Sequence, residues 1–222
     1  GYGLPAVFNA DEPHHVNVAV SFGRGSLNPG VFKYPTFYMY GLFAAFGAYF
    51  AAWSGLGLLH STRDFGALFV WHPEGFYLLA RVLSAVLSLL GLWRVYGTAR
   101  LLAPGPGEED RRRPALWAAA FLAVSPTLIV SAHAAKPDSM MFFLAAWSWH
   151  LAFLYFQDGR ARDLVFCALL AGLAASTQYT AAPLLLLPLS ALGARVLSGD
   201  ALSLGTCARL LSLSGLAWTL GL

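Results

Sequence analysis

Charged side chains thin out in four long stretches of this chain: Phe76 to Ala103, Ala115 to Ala132, Ser139 to Phe156 and Ala181 to Leu197. Each approaches or exceeds the roughly 20 residues that a helix needs to cross a hydrocarbon core of about 30 Å. Lipid offers a peptide group no hydrogen-bond partner, so a backbone crossing it must close its bonds within its own helix. The runs therefore predict an all-α fold, a polytopic transmembrane helical bundle. Composition agrees: only 11% of the 222 residues are charged, against about 25% in a soluble domain, and the mean hydropathy is +0.60.

Spans are expected at 76–102, 115–132, 139–156, 164–178 and 181–197, with a further one beginning near 208. The connections APGPGEEDRRRP, QDGRARD and LSGD carry the turn formers and charges of loops. The chain opens without Met and stops inside the apolar stretch GLAWTLGL, so a fragment is expected, with a span preceding Gly1 and no signal peptide. This divides the chain into an external loop region, 1–75, and a transmembrane bundle, 76–222.

The net charge of +3 does not imply nucleic acid, because the arginines sit between apolar runs rather than along one solvated face. Arg94, Arg100, Arg111, Arg112, Arg113, Arg160, Arg162, Arg195 and Arg209 fall at alternate connections, which the positive-inside rule makes cytoplasmic. The opposite connections, Trp71 to Gly75, His133 to Ser139 and Ser176 to Thr180, are then external. The segment from Tyr34 to Leu59 decides the side of everything before it. Its glycines, with Tyr34, Tyr38, Tyr40, Tyr49 and Trp53, favour the headgroup zone, so it reads as in-plane or re-entrant rather than spanning. Cys167 and Cys207 lie toward the cytoplasmic side and suggest no disulfide.

On this layout the ionisable residues of the external side gather at one face. Asp11 and Glu12, in NADEPHH, precede a short amphipathic helix with Pro13 in its first turn, Val16, Ala19 and Val20 on one face, and Gly23 and Gly25 at its end. Neighbours in sequence point apart, so the two acids form no shared-proton dyad; one acts while the other orients. With His14 and His15 they are also the candidates for a divalent metal, and no cofactor is otherwise expected. Alone, each feature has a plainer reading: a helix cap, a headgroup anchor for Lys33 beside Tyr34, a snorkelling Arg81, a helix start at Pro137 and Asp138, a loop at Gln178 and Tyr179. Lys136, at the membrane edge in HAAKPDS, joins them, and an ionisable group at a membrane edge is a functional candidate by default.

These motifs, in the order NADEPHH, KYPTFYMYGLF, FYLLARVLSAVLSLLGLWRVYGTARLL, SPTLIVSAHAAKPDSMMFF and GLAASTQYTAAPLLLLPL, resemble the GT-C class of polytopic glycosyltransferases. The particular likeness is to the dolichyl-phosphate-mannose protein mannosyltransferases and their bacterial relatives, including the lipid A aminoarabinose transferase. That resemblance implies inverting transfer of a mannose-like hexose or a pentose from a polyprenyl-phosphate donor to an acceptor hydroxyl of a protein, lipid or glycan. It implies an acidic base in the first external loop, matched by Asp11 and Glu12, with Asp11 expected as the base and Glu12 orienting or assisting, and an acid matched by Asp138. At Gln178 and Tyr179 the family often has Lys-Tyr, so Gln178 departs from the pattern and a cation is lost there. Lys33, Arg81 and Lys136 are the candidate phosphate contacts, with Tyr34, Asp138, Gln178 and Tyr179 completing the substrate-binding set. A transporter or flippase of a lipid-linked substrate, or a non-catalytic membrane subunit, is the alternative. A transporter wants polar groups at the midplane of several helices, whereas these gather at the ends. The protein is expected in the inner or plasma membrane, its active site on the non-cytoplasmic side.

Overall fold

A computed structural model of the chain describes residues 10–30, 33–199 and the short stretches 208–209, 212–213 and 215–216. Cys207 and most of the span expected from 208 lie outside these residues. The described chain is helical throughout, without strands: α1 Glu12–Ser21, α2 Phe37–Gly55, α3 Thr62–Trp71, α4 Glu74–Leu102, α5 Glu108–Ala123, α6 Pro126–Ala132, α7 Asp138–Asp158, α8 Ala161–Thr177 and α9 Leu187–Leu197, with 3-10 turns at Phe22–Arg24 and Tyr179–Leu186.

Among the described residues three helical stretches are long and apolar enough to cross a membrane: α4, α7 and Tyr179–Leu197. A fourth exists if α5 and α6 count as one span, but they meet at 67°, where a continuous helix over 115–132 was expected. The break follows from Pro126. It has no amide proton to donate, and it drives the preceding residue out of helical geometry; Ser125 sits at ψ 125. α5 also begins earlier than expected, because Glu108, Glu109 and Asp110 occupy its first turn, where the helix dipole favours carboxylates. Half of the connection APGPGEEDRRRP is therefore helix. The run 181–197 divides likewise: Pro183 lies within the 3-10 turn and Pro188 within the first turn of α9. α8, at 17 residues, is only about 25 Å long by the rise of an α-helix, and it is the most enclosed helix, with Cys167, Ala168, Ala171 and Ala174 fully buried.

α4, α7 and α8 form the centre of the bundle. Between helices that share an apolar solvent, close approach comes from small residues. α4 supplies a stripe of them at Ser84, Ser88 and Gly91, all buried. The Ser88 hydroxyl donates to Ser139 Oγ at 3.0 Å, which in turn donates to the Ser131 carbonyl at 3.0 Å, tying α4, α6 and α7 together. A Cβ added at Gly91 would run into the Phe142 ring. Gly91→Leu is accordingly expected to cost about 1–3 kcal/mol by overpacking, read as a lowered melting temperature of the detergent-solubilised protein.

At the Glu74 end of α4, the three N-terminal helices lie over the bundle. α1 buries Val16 and Ala19 against Tyr38 and Leu42 of α2 and Phe76, Tyr77 and Ala80 of α4. Phe65 and Phe69 of α3 stack with Phe76, and Tyr49 of α2 joins them. Ser61 caps α3, its Oγ accepting from the Asp64 amide at 3.2 Å. α2 has 19 residues but falls outside the stretches apolar enough to span.

Candidate active site

α1 is placed by one buried carboxylate. Glu12 is 0% exposed, and both its oxygens are engaged by Arg81 of α4, Nε donating to Oε1 at 2.9 Å and Nη2 to Oε2 at 2.7 Å. The Ala135 amide, from the turn between α6 and α7, donates to Oε1 at 2.7 Å. A buried carboxylate is tolerated only when so paired, and the flat guanidinium fork meets it with two parallel bonds. Arg81 thus meets an anion that the chain itself supplies. Glu12 fixes the start of α1 against both α4 and the loop that carries Lys136.

Asp11, one residue earlier, faces the other way. Its side chain is 44% exposed, and Oδ2 lies 3.0 Å from Lys136 Nζ. It occupies the N-cap position of α1, but its carboxylate makes no capping hydrogen bond, so the expected cap is one of position only. The Lys136 ammonium holds the Asp11 carboxyl below the usual carboxylate range, against a small opposing effect of burial, and Lys33 adds to the depression. The open carboxylate therefore stays ionised and bordered by two cations.

The rest of the site is aromatic. Tyr34 stacks on both His14 and His15, at ring separations of 5.4 and 5.0 Å, and Lys33 Nζ stands 5.3 Å from the Tyr34 ring centre. His15 is buried edge-on to Tyr38. Burial, reinforced by His14, pushes the His15 imidazole down to about 4 from 6.5. The sign follows from proton counting: between these values the unfolded chain binds a proton that the folded one refuses. Stability should therefore fall by roughly 1.4 kcal/mol per pH unit as pH drops from about 6.5 to about 4. His15→Gln should flatten that slope in melting curves recorded across the window.

Asp138 opens α7 behind Pro137, the helix start that its plainer reading gives. Burial raises the Tyr38 phenol, and the charges of Glu12 and Asp138 add to the rise, so Asp138 belongs to the same neighbourhood. Gln178 ends α8 and Tyr179 is exposed. They stand at the same end of the bundle, where Ala181 packs with Leu144 and Ala174 and, through their edge, with Phe37 and Met140. The side-chain oxygen of Gln178 and Nε2 of His14 are buried without a hydrogen-bond partner. Each such atom costs about 1–3 kcal/mol unless something bonds to it.

Among the described residues no three His, Cys, Asp or Glu side chains converge. Glu12 is committed to Arg81 and Ala135, and both imidazoles pack on Tyr34. Two contributors were not legible in the sequence: the Ala135 amide and Tyr38. An alanine amide carries no signal in a sequence, and Tyr38 reads there only as one of several interfacial aromatics.

A family model for dolichyl-phosphate-mannose-protein mannosyltransferases matches residues 77–218, well over half the chain. No curated protein and no solved structure matches it. The matched stretch takes in Arg81, Lys136, Asp138, Gln178 and Tyr179, while Asp11, Glu12, Lys33 and Tyr34 precede it.

Proposed function

The chain belongs to the dolichyl-phosphate-mannose-protein mannosyltransferase family of membrane glycosyltransferases, and from that premise we propose that it moves a sugar from a polyprenyl-phosphate donor to an acceptor hydroxyl, with inversion, at the Asp11 end of the bundle. The observation that supports this most is the division of labour between adjacent acids. Glu12 is sealed and fully bonded, so it positions; Asp11 is open and ionised, so it accepts the proton.

Sugar transfer from a lipid phosphate needs two things of a protein. The acceptor hydroxyl must lose a proton as its oxygen bonds to the anomeric carbon, and a placed carboxylate contributes about 10²- to 10⁴-fold. The departing phosphate carries its own negative charge away and needs fixed cations rather than an acid. Asp11 serves the first requirement. Lys136 and Lys33, both acting electrostatically on Asp11, stand where the second arises. Arg81 serves indirectly, by holding Glu12. Attack on the anomeric carbon from the face opposite the departing phosphate inverts the centre. Donor or acceptor hydroxyls would satisfy His14 Nε2 and Gln178, and no step is assigned to a metal. The positive-inside pattern puts this end on the non-cytoplasmic side.

The test is transfer by the full-length protein from a panel of radiolabelled polyprenyl-phosphate sugars, mannose and pentose included, to a hydroxyl acceptor. Incorporation with inverted configuration supports the reading. Facilitated movement of the intact lipid-linked sugar across proteoliposomes without bond cleavage would replace it with a transporter.

A further inference from the structure

The opposite end of α4 holds an arginine that sugar transfer does not use. The Arg94 guanidinium carbon lies 4.2 Å from the Trp93 ring centre and 3.8 Å from that of Trp147. Its Nε is buried without a hydrogen-bond partner, and among the described residues no carboxylate lies within ion-pair distance of it.

Arg94 borders a cavity of about 340 Å³ that is also lined by Tyr96, Arg100, Arg111 and His150. Glu108 is the one carboxylate in that lining, and it is paired with Arg100 at 2.5 Å. Arg111 spends its Nε on the Gly105 carbonyl at 3.0 Å, which leaves its terminal nitrogens pointing elsewhere. Among the lining residues three arginines stand against one glutamate, an excess of two positive charges. Uncompensated charge beside a membrane helix is costly, and an anion removes the cost. Tryptophan and tyrosine mark the headgroup level of a bilayer, and here Trp93 and Trp147 flank the guanidinium while Tyr96 lines the same cavity. The planar fork of arginine suits two oxygens of one phosphate.

We propose that this cavity binds a phosphate group, with Arg94, set against its two tryptophans, as the principal contact and Arg111 as the second. The phosphate comes either from an anionic lipid headgroup or from a soluble phosphate. The site is separate from Asp11 and stands whether or not sugar transfer does.

The full-length protein in nanodiscs of phosphatidylcholine doped with phosphatidylglycerol, extracted into neutral detergent, gives the lipid arm: native mass spectrometry counts the lipid retained. A melting-temperature titration with inorganic phosphate gives the soluble arm. Retention of phosphatidylglycerol over phosphatidylcholine, weakened about fivefold by Arg94→Gln and again by Arg111→Gln, assigns a headgroup. Stabilisation by inorganic phosphate alone, lost in the same variants, assigns a soluble phosphate. Should Arg94→Gln fail to fold, the exposed Arg111 still gives the reading through Arg111→Gln. Binding in neither arm, or binding that both variants leave unchanged, overturns the site.

Discussion

Asp11→Asn in the full-length protein is expected to slow sugar transfer by about 10²- to 10⁴-fold while donor binding stays as it was. Asparagine keeps the shape of the side chain but removes the lone pair that takes the proton, and a loss confined to the transition state lowers kcat without raising KM. The partner change is Lys136→Met. Asp11 must be ionised to act, and Lys136 holds its carboxyl below the ordinary value of 3.8. Removing the ammonium lets that value rise, so the acid limb of the pH–rate profile should move to higher pH. The same pair also contributes stability above the unfolded carboxylate value, lost as pH falls through the lowered folded one. Because Asp11 is 44% exposed, that contribution is no more than about 1 kcal/mol, and activity is the more sensitive readout. Wild-type transfer by Asp11→Asn would remove Asp11 as the base.

Glu12→Gln should instead act on the fold. Removing one member of a buried ion pair leaves the other charged in a poor solvent, at a cost of about 3–5 kcal/mol. Here Arg81 would remain, its side chain only 13% exposed, facing a neutral amide with one acceptor oxygen in place of two. The expected result is a sharp fall in melting temperature and in the yield of folded protein, with transfer lost alongside. Arg81→Met should behave similarly. The double variant Glu12→Gln with Arg81→Met, which leaves no orphaned charge, should recover part of the loss, and the thermodynamic cycle separates pairing from packing. Equal and additive losses would mean that the pair contributes no coupling, and that Glu12 does not anchor the site.

The spans were legible because the signal for them is local. Charge density within about 20 residues decides whether a helix tolerates lipid, and α4 and α7 emerged within two residues of their expected bounds. The breaks were less so. Pro126 and Pro183 were in plain view, yet whether a proline merely kinks a helix or divides it depends on what packs around the freed carbonyls. The run of acids at Glu108 reads as loop in the sequence because charge marks both loops and first turns, and it opens α5.

The sequence by itself determined that this is an all-α membrane protein of the mannosyltransferase family, and that acids and cations cluster away from the arginine-rich connections. It names Asp11 as the base with Glu12 orienting, but it carries no physical basis for that order, since the two differ by one methylene and one position. That basis belongs to the tertiary structure, because the environment of each acid comes from far along the chain: Arg81 is 69 residues from Glu12, and Ala135 is 123. Burial in low dielectric forces one carboxylate to be fully paired and leaves its neighbour open to solvent. Only the packing of α1 across α4 and the turn before α7 says which is which.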